Sequence, residues 1–286
     1  MSYQDRVSVC AIVLSYDARE DLALTLRSLQ ESSFPVDILV IDNHSQDDPS
    51  DFLAQHFPNV SVQRLLENRG FAGGMNVGIH WALDRGYDFF WLINQDAQVE
   101  TSTLTQLIEV ALQNKRYGLL SPCIMHENGK LWFCGGRISY ARMRTLHKKR
   151  IQRKAVIESE YLTGCALLLS RALVSKIGLL DEGYFLYYED AEYSLRARKN
   201  RFLPIVVTAS RVRHAERSTL RKEKVYWLVR SGIRFFQRES PWYWRPWVIG
   251  YLALRRTKNL LERRFRPSEI ASLVGQAYTD ASHEKQ

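Results

Sequence analysis

Four short polar segments of this chain carry residue types that chemistry needs: Ser15-Tyr16, Asp42-Asn43-His44-Ser45, Asn94-Gln95-Asp96 and Tyr187-Tyr188-Glu189-Asp190. The first three each end an apolar run, and the last opens a helical pattern. A carboxylate such as Asp96 can help hold a divalent cation, which takes oxygen ligands. A carboxylate such as Asp190 can take a proton from a hydroxyl placed within hydrogen-bond reach. Between them lies Asn68-Arg69-Gly70-Phe71-Ala72-Gly73-Gly74-Met75-Asn76-Val77-Gly78, with four glycines and two asparagines in eleven residues. Glycine lets backbone N–H groups approach a ligand closely and permits positive φ. Each segment also has a plainer use. Asp42 to Ser45 makes a good turn or N-cap, Asp96 can be a loop aspartate, and Glu189, Asp190 and Glu192 can simply favour a helix macrodipole.

The elements that must position these residues alternate in type. Val7–Leu14, Val36–Ile41, Val60–Leu65 and Phe89–Ile93 read as short β runs. Between and after them, Arg19–Gln30, a short helix near Pro49–His56, a helix ending near Asp84 and Thr101–Asn114 have helical spacing of apolar residues. Such alternation predicts an α/β fold with a mainly parallel, doubly wound sheet, in which polar groups at strand ends line a ligand crevice. Further on, Gly118–Met125 and Lys130–Ser139 read as strands around a Glu127-Asn128-Gly129 turn. Arg142 to Lys154 reads as an exposed basic loop, and Tyr161–Leu169 as a β run interrupted by Gly164. A helix over Arg171–Ile177, a helix over Asp190–Lys199 and a strand over Leu203–Val207 complete the body, with His214 just beyond.

The 286 residues allow one large domain plus an appendage, expected as residues 1–215 and 216–286. Residues 216–286 hold 15 Lys/Arg against 7 Asp/Glu, which is +8 of the chain's +9. Within it, Val225 to Arg238 reads as a helix with Arg230, Arg234 and Arg238 on one stripe, followed by Trp242, Trp244 and Trp247. A basic amphipathic helix beside tryptophans suits an anionic membrane surface, and a helical cap burying its aromatics is the alternative. No apolar run reaches the length that spans a bilayer, and no signal-peptide pattern precedes the first strand. The four cysteines have no C-x-x-C spacing, and Cys10 and Cys165 lie in apolar runs. These features predict buried thiols, a reducing compartment and no zinc site.

Taken in order, Asp42-Asn43-x-Ser45, the Asn68–Gly78 segment, Asn94-x-Asp96 and Tyr187-Tyr188-Glu189-Asp190 resemble the inverting family 2 glycosyltransferases with a GT-A fold. The likeness covers about residues 7 to 215 and is nearest to bacterial rhamnosyltransferases of cell-surface polysaccharide assembly. It implies a GT-A type sheet with a helical C-terminal extension and a nucleotide-sugar donor, dTDP-rhamnose or a UDP-sugar. It implies transfer to a hydroxyl of a cell-surface glycan intermediate, and the basic, tryptophan-rich tail adds the expectation of a lipid-linked acceptor and a cytoplasmic enzyme peripheral on the inner face of the membrane. By this resemblance Asp190 is the base, with Glu189 beside it. Ser15, Tyr16, Asp42, Asn43, Gly73, Gly74, Asn76, Asn94, Arg196 and Arg217 would meet the nucleotide-sugar, with Arg221 also near the diphosphate. Asp96 and His214 would hold Mg²⁺ or Mn²⁺. The chain departs from the family pattern at Asn94, where the first acid usually stands, at Gln95, where proline is common, and at Glu192, where aspartate is.

Other readings lack their signatures. No G-x-G-x-x-G follows the first strand and no G-x-x-x-x-G-K-[ST] occurs, which argues against a Rossmann dinucleotide site and a P-loop. A nucleotidyltransferase would have a glycine- and arginine-rich loop where Ser15-Tyr16-Asp17-Ala18-Arg19 stands. A binding module without catalysis would leave Asp96 and Asp190 unused, and no nucleic-acid motif organises the basic tail. Nucleic acid is therefore not an expected partner, and the oligomeric state is open.

Overall fold

The computed structural model describes residues 7–148, 150–215 and 222–283. Its first third alternates β1 (Val9–Ser15), α1 (Arg19–Gln30), β2 (Asp37–Asp42), α2 (Ser50–His56), β3 (Ser61–Arg64), α3 (Gly70–Asp84) and β4 (Phe89–Asn94). Strands β3, β2, β1 and β4 lie side by side and all parallel. The order reverses between β1 and β4, because β2 is added on one side of β1 and β4 on the other. A crevice opens at the carboxyl ends of strands at such a switch point. Ser15 and Asn94 therefore stand at its two lips.

β5 (Ala97–Val99), α4 (Thr103–Gln113), β6 (Leu119–His126), β7 (Leu131–Phe133), β8 (Gly136–Ser139), β9 (Arg144–His147), β10 (Val156–Glu158) and β11 (Ala166–Ser170) follow. Strand β11 enters the sheet antiparallel between β4 and β6. After α5 (Arg171–Ile177) and α6 (Glu189–Lys199), β12 (Pro204–His214) pairs parallel with β6. The core is continuous through this sheet, with Ile12, Leu39, Phe90, Trp91 and Leu168 fully buried.

Three expectations change in this region. Lys130–Ser139 is not one strand: Gly135, at φ 102, breaks it, and β8 pairs with β9 in a separate hairpin. That pairing also takes Arg144–His147 out of the expected loop. Cys123 and Cys134 form a disulfide, contrary to the reducing, unpaired reading. Their spacing has no signature; antiparallel pairing of Ile124 with Phe133 brings them together. Cys10 and Cys165 are buried, as expected.

The glycine-rich segment is helix from Gly70 onward rather than a loop, and its glycines serve packing. A Cβ on Gly74 would lie 2.4 Å from Leu14 Cδ1, and one on Gly78 2.3 Å from Ile12 Cγ2. Both would collide with β1, so α3 lies closer to the sheet than a helix with side chains on that face. Gly78→Ala is expected to lose about 1–3 kcal/mol of stability through overpacking, read as a lower Tm in thermal denaturation. An unchanged Tm would show that the α3–β1 contact yields easily.

The C-terminal region forms α7 (Lys222–Glu239), a 3₁₀ turn (Trp242–Trp244), α8 (Arg245–Phe265) and α9 (Glu269–His283). α7 packs on the body: Phe235 and Phe236 are buried, and both ring-pack on Tyr188. Its arginine stripe is engaged with the body, although Arg238 stays 54% exposed. Arg234 and Arg238 both reach Asp181, and Arg230 lies 5.1 Å over the Trp227 ring. Among the described residues no helix is long and apolar enough to cross a membrane.

Candidate active site

The loop after β1 is tied to the loop after β4. Tyr16 N donates to Gln95 Oε1 at 2.6 Å, and Gln95 Nε2 donates back to Tyr16 O at 3.1 Å. A proline could not supply that side-chain amide, so the departure at Gln95 does structural work that the sequence reading missed. Ser15 is buried while Tyr16 is 38% exposed at the crevice, which leaves its ring free to meet a base.

Asp42 is fully buried and serves its own turn: Oδ1 accepts from Ser45 N at 3.3 Å and from Ser45 Oγ. Arg64 Nε lies 3.3 Å from Oδ2. The turn reading of Asp42-Asn43-His44-Ser45 thus describes its contacts, with His44 at φ 68. Asn43 spans to the glycine segment, donating to Asn68 Oδ1 and Gly70 O and accepting from Arg69 N. Asn76 is also spent within the protein. Its amide donates to Leu180 O and Glu182 Oε1 and accepts from Leu180 N, each at 3.0 Å. It clamps α3 to the segment before Tyr184 instead of offering a hydrogen bond to a ligand. Gly73 is held against Arg69 and Gly74 against Leu14, both inside the packed helix face.

Asp96 and His214 meet. Strand β12 runs past the predicted end at Val207, through an irregularity between Val207 and Arg211, and its last residues pair with β5, His214 opposite Ala97. Ala215 N donates to Asp96 O at 3.0 Å. The result sets His214 Nε2 3.1 Å from Asp96 Oδ1. Trp132 packs against the His214 ring with centroids 5.0 Å apart. Arg217 and Arg221 lie outside the described residues.

Asp190 is held at the head of α6. Tyr187 and Tyr188 precede it with φ of 70° and 69°. Two successive left-handed tyrosines cost energy, and such strain persists where surrounding structure enforces it. Here α7 enforces it. Ser231 Oγ donates to Leu186 O at 2.8 Å, Trp227 stacks on Phe185 at 4.3 Å, and Gly232 leaves room for the Tyr188 ring. Gly70, at φ 68, lets Phe71 N reach Phe185 O at 2.7 Å. Asp190 Oδ2 accepts from Gly164 N at 3.0 Å and Oδ1 from Ala191 N at 2.7 Å.

Burial raises the Asp190 carboxyl to about 6 against the relief given by those backbone N–H groups. Glu189 is raised well above the usual range by deeper burial and by the neighbouring Asp190 charge, and its Oε2 has no hydrogen-bond partner. The two acids therefore divide. Burial and the neighbouring charge favour the protonated form of Glu189, while the backbone N–H groups favour the charged form of Asp190. Arg196, expected at the nucleotide-sugar, is occupied within α6 and its neighbour, donating to both oxygens of Glu192 and to Ile177 O.

One dipeptide joins the two centres. Gly164 N holds Asp190, and the next residue, Cys165, accepts Asn94 N through its carbonyl at 2.9 Å. The Asn94-Gln95-Asp96 strand end and the Asp190 helix head are therefore coupled through adjacent backbone groups.

Comparison with known proteins agrees with this arrangement. The Glycosyl transferase family 2 model matches residues 10–178. The chain belongs to glycosyl transferase family 2. The N-acetylglucosaminyl-diphospho-decaprenol L-rhamnosyltransferase of Mycobacterium tuberculosis is 25% identical over 276 residues, covering 85% of this chain and 90% of that one. The dTDP-rhamnosyl transferase RfbF of Shigella flexneri is 21% identical, covering 73% and 69%. Among solved structures, GalNAc-T7 with UDP, GalNAc and Mn²⁺ superposes with a TM-score of 0.66 at 15% identity, covering 96% of this chain and 54% of that one. The mannosyltransferase PcManGT of Pyrobaculum calidifontis, with GDP-Man and Mn²⁺, gives 0.60 at 14% identity, covering 97% and 88%. The fold of this glycosyltransferase is thus GT-A type, and its sequence is rhamnosyltransferase-like.

The residues present suit a divalent cation. Asp96 and His214 offer an oxygen and an imidazole nitrogen side by side, and His214 Nδ1 is buried without a hydrogen-bond partner. No group of three His, Cys, Asp or Glu side chains able to hold a metal occurs among the described residues. Two protein ligands, with substrate phosphates and water completing the shell, is the usual arrangement for Mg²⁺ at phosphate sites.

Proposed function

We propose that this enzyme is an inverting transferase that moves one sugar, rhamnose from dTDP-rhamnose or a hexose from a UDP-sugar, to a hydroxyl of a lipid-linked glycan. The observation that carries the reading is the Gly164-Cys165 link between the Asp190 helix head and the strand end that bears Asp96. In this reading Asp190 takes the proton of the acceptor hydroxyl as its oxygen bonds to the anomeric carbon. The bond from that carbon to the diphosphate oxygen breaks on the opposite face. Bound Mg²⁺ or Mn²⁺, held by Asp96 and His214, would offset charge on the leaving diphosphate. Glu189, buried beside Asp190, positions the base and does not reach the acceptor. The exposed Tyr16 ring covers the nucleoside base at the crevice, while Ser15, Asp42 and Asn43 shape the two loops beneath it. Gly73, Gly74 and Asn76 fix the floor, Asn94 and Arg217 remain part of the donor site in this reading, and Arg196 braces the Asp190 helix through Glu192 and Ile177.

The relatives' names favour a rhamnose donor and a diphosphate-linked polyprenol acceptor. An acceptor of that class would keep the enzyme at the inner face of the cell membrane.

A donor screen tests the reading. Purified protein with Mg²⁺ or Mn²⁺ is expected to be stabilised by one nucleotide-sugar and to hydrolyse it slowly. Indifference to every donor, and to free dTDP and UDP, would overturn it.

A further inference from the structure

With α7 turned inward, the membrane question passes to α8, which the sequence reading left undivided from the tail. On α8, Trp247, Leu254, Leu261 and Phe265 are 50%, 69%, 52% and 71% exposed. At 3.6 residues per turn they fall within about 40° of arc, so they form one outward stripe. Val248 and Asn259, on the other side, are buried, while Ile249 and Leu260, 69% and 54% exposed, lie off the stripe. Lys258, ion-paired with Glu262 at 3.8 Å, and Arg255 flank the stripe on one edge, and Arg264, 5.5 Å over the Phe265 ring, flanks it on the other. Just before it, Trp242 and Tyr243 are 79% and 63% exposed.

The hairpin of β8 and β9 joins the same surface. Trp247 Nε1 donates to Ala141 O at 3.1 Å, and Tyr140 stacks with Trp244 at 6.2 Å. The exposed Arg142 and Arg144 stand at that hairpin turn. Tyr140 also meets Phe236 edge-on at 6.1 Å, and Phe236 meets Tyr188 at 5.9 Å. Stacked rings therefore lead from the surface to the residue two before Asp190.

We infer that α8 lies in the plane of an anionic bilayer, with Trp247, Leu254, Leu261 and Phe265 buried below the headgroups. Arg142, Arg144, Arg255, Lys258 and Arg264 then meet the lipid phosphates. An apolar stripe with cationic flanks and aromatic residues at one end is the composition of an interfacial helix. A second copy of the chain fits worse. A helix–helix seam needs apolar residues at two positions per heptad. Here the row three residues on is Gly250, Thr257 and Arg264, and the row four residues on is Tyr251, Lys258 and Phe265. Each is broken by a cation, and the flanking cations would face their own kind. For its purpose the proposal rests on the lipid-linked acceptor reading, because it brings the base to the surface where such an acceptor is anchored.

The test is sedimentation of the full chain with vesicles of phosphatidylcholine alone or mixed with phosphatidylglycerol. The wild type is expected to bind the mixed vesicles. L254E/L261E is expected to bind about a hundredfold more weakly, since each leucine loses its apolar transfer and gains a like charge. Both substituted residues are exposed, so Tm and slow donor hydrolysis in solution should not change. Wild type that ignores mixed vesicles, or a variant that binds them equally, overturns the proposal. A wild-type dimer that the variant dissolves, without vesicle binding, overturns it in favour of self-association. Loss of donor hydrolysis in both proteins with vesicle binding intact would count against the transferase reading alone.

Discussion

Asp190→Asn is expected to lower the rate of sugar transfer by about 10²–10⁴-fold, the contribution of a positioned general base. Donor affinity should change little, because this side chain is bonded to Gly164 and Ala191 and not to Asp96 or His214 in the proposed metal pair. Glu189→Gln should retain activity within about tenfold, since burial already favours the neutral form of this acid and the amide keeps its shape. Equal losses in the two variants would mean that both acids exchange protons with the acceptor. The pH profile follows from the same burial. Only the carboxylate can accept a proton, and its value is raised to about 6. Transfer should therefore fall about tenfold per unit below that pH and level off above it.

Stability should run the other way. For an acid whose folded value lies above its unfolded one, the stabilising contribution is complete below the unfolded value. It is lost as pH rises through the folded value. At neutral pH the Asp190 charge thus costs the fold on the order of 2–3 kcal/mol for a rise from 3.8 to about 6. Asp190→Asn loses one of the two acceptors of backbone N–H groups at every pH, but its Tm relative to wild type should rise as pH goes from acid to neutral. A Tm difference that does not change with pH would contradict the burial account.

The second large effect is expected at Asp96. Asp96→Ala removes the carboxylate that lies against His214 and should lower kcat/KM by about 10²–10³-fold, the scale of losing one preorganised contact to developing charge. It should also abolish stabilisation by nucleoside diphosphate with Mn²⁺. His214→Ala should weaken the metal response by a smaller factor and shift the required Mn²⁺ concentration upward. Wild-type enzyme that works fully after exhaustive chelation would remove the metal from the reading and leave Asp96 as a structural partner of His214.

These two residues also show how legible the site was. Asp96 and Asp190 could be found because each sits at the end of a strongly patterned element, and the alternation of β and α runs fixes where strand ends gather. His214 could be singled out only by resemblance. Its distance from Asp96 depends on β12 continuing to residue 214 and pairing with β5, a three-residue strand with no signal of its own. Asn76 and Gly74 were legible as unusual but not as to their use. Glycine and asparagine suit a ligand loop and a tight helix–sheet contact equally well, and only the 2.4 Å approach of Leu14 and the three bonds to Leu180 and Glu182 decide between them. Gln95 carried no local signal, because its role is to bond the backbone of Tyr16, 79 residues earlier.

The sequence by itself determined the class of fold and the order of the strands' polar ends, and offered Asp96 and Asp190 as candidates, since apolar periodicity and terminal polar residues are local properties. Tertiary structure alone decided how burial raises Glu189 and Asp190, and that α7 grips the Tyr187-Tyr188 turn through Trp227 and Ser231. It also left α8, rather than α7, with an outward apolar stripe. Burial, pKa and facing direction depend on neighbours far away in the chain, and a helical period shows that a face exists without showing what will cover it.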